Sequence, residues 1–166
     1  PRLNKQDDTC KCSSSYSSTS IKEVYSRGIE IKTSLKFWKL SCETNYLFTK
    51  STHEIAANNL DISVGQQLRY VPLHKGSASI NFIEEDFLLS LRTSYAGEVI
   101  TSYALPTNKT LDGFFLTDFS IKYKMHLLPV SLKAKVKNLT NESYVTYLNY
   151  PNPGREYLFT IEYIIN

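Results

Sequence analysis

The stretch Gly28-Ile-Glu-Ile-Lys-Thr-Ser-Leu-Lys-Phe37 decides the fold, because its side chains alternate strictly in polarity. One parity is apolar apart from a threonine and consists of Ile29, Ile31, Thr33, Leu35 and Phe37. The other parity consists of Glu30, Lys32, Ser34 and Lys36. Successive side chains of a β-strand point to opposite faces, so this period of two predicts a strand with one apolar and one polar face.

The same alternation recurs in six further segments of the chain. They are residues 40–49, 77–82, 87–95, 115–123, 130–137 and 156–165. No residue on the apolar parity is charged, whereas the polar parity of one segment carries Lys133, Lys135 and Lys137. The pattern therefore predicts an all-β chain, an antiparallel up-and-down meander of about seven long strands.

Two architectures fit this alternation. In a soluble sandwich or small barrel the apolar parity faces a core, whereas in a membrane barrel it faces lipid and the polar parity faces a wet lumen. The segments are about ten residues long, more than the five or six usual in soluble sheets. Aromatic residues gather near the strand ends, and tight turns alternate with long loops at Ser51–His74, Glu98–Gly113 and Thr140–Gly154. These features favour part of a transmembrane β-barrel, which would be an open curved sheet if alone.

The composition excludes several functional classes. A net charge of +3 over 166 residues is too small for a protein held to nucleic acid mainly by a basic surface. Cys10, Cys12 and Cys42 match neither a disulfide framework nor a set of zinc ligands. No catalytic constellation is visible and no apolar run could form a transmembrane helix. The sequence thus predicts a protein that is not an enzyme and holds no metal or cofactor.

The chain divides into two parts of unequal size. Residues 1–25 are rich in Ser and Thr without an apolar period, which predicts a polar arm or extracellular loop. Residues 26–166 contain the alternating segments. The chain starts at Pro1 without a signal peptide, which we interpret as a processed product or a piece of a longer chain.

Four ordered segments lie at predicted strand boundaries. They are Ser26-Arg-Gly-Ile-Glu30, Tyr70-Val-Pro-Leu-His-Lys-Gly-Ser77, Asn138-Leu-Thr-Asn-Glu-Ser-Tyr144 and Pro151-Asn-Pro-Gly-Arg155. They resemble TonB-dependent outer-membrane receptors, in which the third segment closes the penultimate strand and the fourth opens the last one. The loop sequences hint at vitamin B12 receptor-like members. The resemblance assigns structural roles to Gly28, Glu30, Asn138, Asn141, Tyr144, Pro153, Gly154 and Arg155.

Turn chemistry gives physical reasons for some of these residues. Asn138 and Asn141 tolerate turn geometry, and Gly154 permits a φ that other residues resist. Arg155 is interpreted as a register marker, or alternatively as a charged anchor for loops or lipopolysaccharide.

The resemblance implies a place and a function. The chain would lie in the bacterial outer membrane, with its long loops extracellular and its turns periplasmic. It would supply part of a receptor that takes up a scarce nutrient, either a metal chelate or siderophore, haem or a cobalamin. Its partners would be outer-membrane lipid, the remainder of the barrel and plug, the TonB complex through that plug, and the small-molecule nutrient. The alternative is a soluble all-β module that binds carbohydrate or protein.

The candidate ligand contacts lie on or beside the long loops. They are Tyr103, Tyr144, Tyr147, Tyr150, His53 and His74. Exposed tyrosines on anchored loops give a large contact area at low entropy cost, but they also suit an aromatic belt at the membrane interface. The two histidines could ligate haem or a metal, or could be simply solvated. The lumen-facing cations could line a path for an anionic ligand, or could pair with plug carboxylates.

One feature of the chain departs from the family pattern, and another argues against independent folding. It ends in Ile164-Ile165-Asn166, where the family commonly ends in an aromatic residue. Its seven strands also leave two open edges, which in lipid would leave backbone groups unpaired. We therefore predict that the chain alone is not a stable folded unit.

Overall fold

The computed structural model describes residues 23–56 and 59–163. The strands in these ranges are β1 (Val24–Phe37), β2 (Leu40–His53), β3 (His74–Ile83), β4 (Phe87–Ala96), β5 (Val99–Ser102), β6 (Lys109–Leu111), β7 (Phe114–Lys124), β8 (Val130–Lys137), β9 (Val145–Tyr147), β10 (Tyr150–Pro151) and β11 (Glu156–Tyr163). One antiparallel sheet has the order β1-β2-β3-β4-β7-β8-β11, which is the predicted meander of seven strands. The sheet does not close, so β1 and β11 are its two edges. The predicted arm lies outside the described residues up to position 22, and β1 begins at Val24, before the predicted boundary.

The strand register puts every apolar parity on the same side of the sheet. Ile29 lies opposite Phe48 in the first ladder, and Ile80 lies opposite Leu91 in the third. This apolar face is uncovered, with the side chain of Ile161 74% exposed. No hydrophobic residue is buried within the described ranges. The dry core that the soluble alternative requires is therefore not formed by the described residues, whereas an uncovered apolar face is what a lipid-facing barrel wall presents.

Aromatic pairs border the apolar face at both ends of the strands. Phe87 and Tyr123 pair across β4 and β7 at the end with short turns, with ring centroids 4.8 Å apart. Tyr95 and Phe115 stack at 4.5 Å at the end with long loops. These two rims match the interfacial girdles that the sequence predicts.

The three short turns are tied to one another. The first is the two-residue turn Trp38–Lys39, and Lys39 forms an ion pair with Glu84 in the second turn. In the third turn the His126 Nε2 lies 2.5 Å from Asp86 Oδ2 of the second. The turns thus form a chain of contacts along one end of the sheet.

The long loops at the other end differ from the prediction in their limits. Ser51, Thr52 and His53 continue the ladder with β1, and His74 opens β3, so the first loop runs from Glu54 to Leu73. The second loop contains the β5–β6 hairpin and the third contains the β9–β10 hairpin. No helix in the described part of the chain is long and apolar enough to cross a membrane.

Candidate ligand-binding loops

The first two long loops are fastened to each other. The backbone N–H of Tyr70 donates to the carbonyl of Ile100 at 2.8 Å, and the Tyr103 hydroxyl donates to the carbonyl of Gln67 at 2.9 Å. The amide of Asn108 donates to Gln66 Oε1 at 3.2 Å. These bonds connect residues thirty or more positions apart. The two loops therefore form one body.

Gln67 anchors this body to the sheet. Its Nε2 donates to the carbonyls of Thr49 and Val71, at 3.2 and 3.1 Å, and its Oε1 accepts from the backbone N–H of Ser51 at 2.9 Å. Ser51 is only 6% exposed as a result of this cover. One side chain thus satisfies three backbone groups where β2 extends past the end of its ladder with β3.

Tyr103 is half-buried within this body and is not an open contact surface. Its ring meets the His53 ring edge-on at 5.9 Å between centroids, and the Arg69 guanidinium lies 5.8 Å from its centroid. Burial raises the pKa of the Tyr103 phenol, and the positive charge of Arg69 partly opposes that rise. Tyr103 and His53 therefore pack inside the joined loops, where they stabilise the contact between the loops and offer little surface to a ligand.

Tyr147 and Tyr150 lie on an exposed aromatic surface, which we call the tyrosine platform together with Tyr70. Tyr147 stacks on Tyr70 with centroids 4.2 Å apart and planes 5° from parallel, and Tyr150 meets Tyr147 edge-on at 6.3 Å. Tyr147 is 55% and Tyr150 is 70% exposed. The platform joins the first loop to the third and offers flat apolar rings with phenol edges. Such a surface suits planar or ring-shaped ligands.

Tyr70 was not among the predicted contacts, although it stands in the segment that opens β3. Its φ of 60° turns the chain out of the loop. Its stacking partner lies 77 positions away, at Tyr147, and alternation within strands carries no signal for such a pairing.

A cavity of about 170 Å³ adjoins the platform. Its walls include Tyr70, Val99 and Thr146, and its charged members are Lys75 and Asp112. The fourth predicted tyrosine, Tyr144, packs on Phe114, which lines this cavity, at 4.6 Å between ring centroids. Tyr144 is half-buried, so it packs the third loop against β7 and is not an open contact surface.

His53 and His74 lie on opposite faces of the sheet. His74 shares the apolar face with Tyr46 and Phe48, because it pairs with Phe48 across β2 and β3. Its Nδ1 is 2.7 Å from the Tyr46 hydroxyl oxygen, and its ring is 5.3 Å from the Phe48 ring. His53 has the opposite parity and packs on Tyr103. A single haem or metal site cannot use both histidines.

The predicted motif residues close the third loop onto the sheet. Asn138 is 4% exposed with a φ of 50°, and its side chain accepts from the N–H of Glu142 and donates to the carbonyl of that residue, at 2.8 Å each. Asn141 has a φ of 56°, and its Oδ1 accepts from the backbone N–H of Arg155 at 3.0 Å. These contacts join the end of β8 to the residue that precedes β11.

The reason for glycine at position 154 differs from the one expected. Gly154 does not have a positive φ; instead, a Cβ there would lie 2.8 Å from Asn141 Oδ1. Gly28 has a similar role in β1, where a Cβ would lie 2.2 Å from the carbonyl oxygen of Phe48. Both glycines allow a close approach of a neighbour. The neighbouring motif residue Pro153 lies in the loop segment between β10 and β11.

The cations of the polar face are largely paired with carboxylates of the same face. Glu30 contacts Lys32 at 3.0 Å and accepts from the Asn45 amide at 3.2 Å. Three further ion pairs cross the strands β7, β8 and β11. They are Lys122–Glu162 at 2.6 Å, Lys135–Asp118 at 2.8 Å and Lys137–Glu156 at 3.2 Å. Internal pairing therefore reduces the charge available to an anionic ligand. Within the described ranges, no three His, Cys, Asp or Glu side chains are grouped so that they could hold a metal ion.

Comparisons with known proteins agree with the β-sheet architecture described above. The model of the family described as TonB dependent receptor-like, beta-barrel matches residues 3–139. No curated protein matches the sequence significantly.

Solved structures resemble the fold at low sequence identity. The ferric-catecholate import receptor Fiu from E. coli K12, in its closed form, aligns with a TM-score of 0.66 and 19% identity over 83% of this chain and 20% of that chain. The siderophore receptor PiuA from Acinetobacter baumannii gives 0.67 and 16% over 83% of this chain and 21% of that one. The FrpB iron transporter from Neisseria meningitidis gives 0.65 and 16% over 84% and 23%. The chain thus spans about a fifth of the length of the solved proteins it matches.

Proposed function

The chain belongs to the TonB-dependent receptor β-barrel family, and from that premise we propose that it forms one side of an outer-membrane receptor that imports a scarce nutrient. The family consists of receptors and transporters and not of enzymes. The observation that carries the proposal is the seven-stranded sheet with an uncovered apolar face and a polar face opposite, of which the first six strands lie within the segment that the family model matches. Residues 26–166 would be the barrel segment, and residues 1–25 an extracellular arm.

An iron chelate of the siderophore class is the ligand that we propose first. Fiu is described as a ferric-catecholate import receptor and PiuA as a siderophore receptor, and both share this fold. The tyrosine platform adds a chemical reason, since flat exposed rings can stack on aromatic groups of a chelate. Haem and cobalamin are the other candidates, and the vitamin B12 receptor-like resemblance remains a prediction.

The mechanism places the described residues in the capture step. A ligand from outside would meet Tyr147 and Tyr150 first, because these rings are the exposed members of the platform. The fastened first and second loops would hold Tyr70 in place, so little ordering would be needed on binding. The polar face would line the lumen through which the nutrient passes. The plug and the TonB complex, which would drive this passage, are proposed partners from the rest of the receptor.

The experiment measures nutrient uptake and binding in cells from which the gene for this chain has been deleted. The gene is then reintroduced as the wild type, as a variant or as a control. The variant is Tyr147→Ala with Tyr150→Ala, and the matched control is Tyr157→Ala, which removes an exposed tyrosine from the apolar face. Iron-radiolabelled siderophores, labelled haem and labelled cobalamin are supplied in turn. Losing the exposed rings of a stacked contact should weaken binding of the ferric siderophore about tenfold. The control should bind as the wild type does.

Two results would contradict this proposal in different ways. If the wild-type receptor restores uptake of cobalamin or haem but not of any ferric siderophore, the ligand class is wrong. If it restores none of these nutrients, the transport function itself fails. Siderophore uptake that the double variant leaves intact would remove the tyrosine platform from the ligand site.

A further inference from the structure

The apolar face carries two cations at its extracellular end that the ligand-binding loops do not use. In the β1–β2 ladder Arg27 lies directly opposite Lys50. Both have the parity of Ile29 and Phe48, which form the next pair of that face toward the middle of the strands. The charged pair thus stands just beyond the apolar belt, on the side of the long loops. In a membrane barrel that position is the level of the headgroups of the outer leaflet.

No carboxylate neutralises this pair within the described ranges. No Asp or Glu oxygen there lies within ion-pair distance of Arg27 or Lys50. Glu54 is the residue that follows β2, four positions beyond Lys50, and its carboxylate accepts a hydrogen bond from the Thr52 hydroxyl at 2.6 Å. The pair differs in this respect from Lys122, Lys135 and Lys137 on the polar face, each of which contacts a carboxylate.

Like charges directly opposite each other in a sheet are destabilising. An anion bound between the Arg27 guanidinium and the Lys50 ammonium would offset that repulsion, because both groups would donate charge-assisted hydrogen bonds to it. A guanidinium and an ammonium together match the oxygens of a phosphate, because one offers a planar fork of donors and the other a compact charge. The unpaired Arg27–Lys50 pair therefore has the chemistry of a phosphate site.

We propose that Arg27 and Lys50 bind a phosphate group of lipopolysaccharide, the anionic lipid of the outer leaflet. The inference rests on the proposed function for the membrane orientation. A lipid fits better than a free anion because its acyl chains would lie on the exposed apolar side chains of the same strand. Ile29 is 63%, Ile31 is 56% and Leu35 is 66% exposed along that path. Tyr46 and Phe48 with His74 border the site on the side of β3.

The test uses the purified full-length receptor in neutral detergent. Wild type is compared with Arg27→Gln plus Lys50→Gln, and with the control Lys32→Gln plus Lys36→Gln, which removes two charges from the polar face of the same strand. Each is incubated with lipid A, with lipid A stripped of its phosphates, with phosphatidylglycerol, or with lipid A and inorganic phosphate. The lipid that stays bound through gel filtration is measured by mass spectrometry.

Loss of the two cations should weaken retention of phosphorylated lipid A about thirtyfold, and removal of the phosphates from the lipid should do the same for the wild type. The control should retain lipid A as the wild type does. If the double variant does not assemble, the single variants Arg27→Gln and Lys50→Gln replace it, each with an expected loss of about fivefold.

Several results would overturn the proposal. Equal retention by the double variant would mean that another surface holds the lipid, and equal losses in both double variants would mean general electrostatic attraction. Equal retention of phosphatidylglycerol would mean that the site does not select lipopolysaccharide, and complete displacement by inorganic phosphate at the lipid's own concentration would mean that the acyl chains contribute nothing to binding. A receptor that retains lipid A through Arg27 and Lys50 but imports no tested nutrient would refute the transport proposal alone.

Discussion

Asn141 accepts a hydrogen bond from the Arg155 backbone N–H at 3.0 Å, across the mouth of the third loop. Replacing it with alanine leaves that N–H without its partner. We expect Asn141→Ala to lower the stability of the folded receptor by about 1 kcal/mol. The loss is measured as the temperature at which the folded band disappears in a semi-native gel.

Asn152→Ala is the matched control for this substitution. Its amide contacts the exposed Thr146 hydroxyl within the same loop, so water can replace the partner. The control should change the transition temperature by less than half as much. Equal shifts for the two variants would show that Asn141 does not close the loop as described.

Tyr103 makes the loop body sensitive to alkaline pH. Its pKa in the folded state is raised above the ordinary value of 10.0, chiefly by burial, so the unfolded chain loses the phenol proton first as pH rises. The stabilising contribution is therefore complete below about pH 10 and is lost as pH rises through the folded-state pKa. We expect proteolysis of the first two loops to accelerate above that pH, and Tyr103→Phe to remove this acceleration. An unchanged pH profile in the variant would assign the effect to another group.

At the residue scale, some structural roles could be predicted from the sequence, whereas others depend on contacts between distant residues. Asn138 and Asn141 were expected to adopt turn geometry, and their positive φ angles confirm this prediction. The reason for Gly154 was wrong, because steric room beside a side chain in the folded loop leaves no trace in the local sequence. The role of Tyr103 in fastening two loops was likewise invisible, since its acceptor at Gln67 lies 36 positions away.

At the scale of the strand, the assignment of faces can be tested with one pair of lysine substitutions. Leu91 lies on the apolar face of β4, opposite Ile80 and Phe119, whereas Ser94 lies on the polar face opposite Ser77. A lysine facing lipid near the bilayer middle costs about 2–4 kcal/mol, but one facing a wet lumen costs little.

We therefore expect Leu91→Lys to reduce the amount of assembled receptor strongly, and Ser94→Lys to leave it near the wild-type level. The folded receptor in outer-membrane fractions is quantified for both. The reverse order would mean that the two faces have been exchanged, and equal tolerance would argue against a lipid-facing surface.

All seven strands of the sheet were predictable because each is long enough for its alternation to be unambiguous. Five strands extend beyond the predicted limits, and the longest extensions belong to β1, β2 and β3 at the end with the long loops. Val24–Arg27 and Lys50–His53 continue the β1–β2 ladder above the apolar belt, where both faces are polar enough to hide the period. The hairpins β5–β6 and β9–β10 were missed, since strands of two to four residues are too short to show alternation.

At the scale of the whole molecule, the sheet lacks what a soluble domain needs. Its apolar face is uncovered, and the edges β1 and β11 leave unpaired backbone groups. We expect the purified chain, without detergent and without the rest of a barrel, to aggregate and to show no cooperative unfolding transition. Sedimentation and thermal circular dichroism measure this. A soluble monomer with a sharp transition would refute the expectation.

The sequence also allowed the class of this molecule to be predicted, through short turns at one end of the strands, long loops at the other and the resemblance to the family. The orientation in the membrane, which the resemblance implies, stays a prediction. It did not allow the arrangement of the loops to be predicted. The contacts that join the three loops, such as the stacking of Tyr70 on Tyr147, depend on distant segments meeting after the sheet has formed. The ligand that we propose for these loops would be selected by this assembled surface.

Fractionation of the native cell, with a blot against this segment, tests the central claim most directly. The account predicts a band in the outer-membrane fraction that needs detergent for extraction. It also predicts a size well above 19.0 kDa, because closing the barrel requires more strands than these. A soluble band near 19.0 kDa would contradict the account, since the apolar face would then have to be buried against protein.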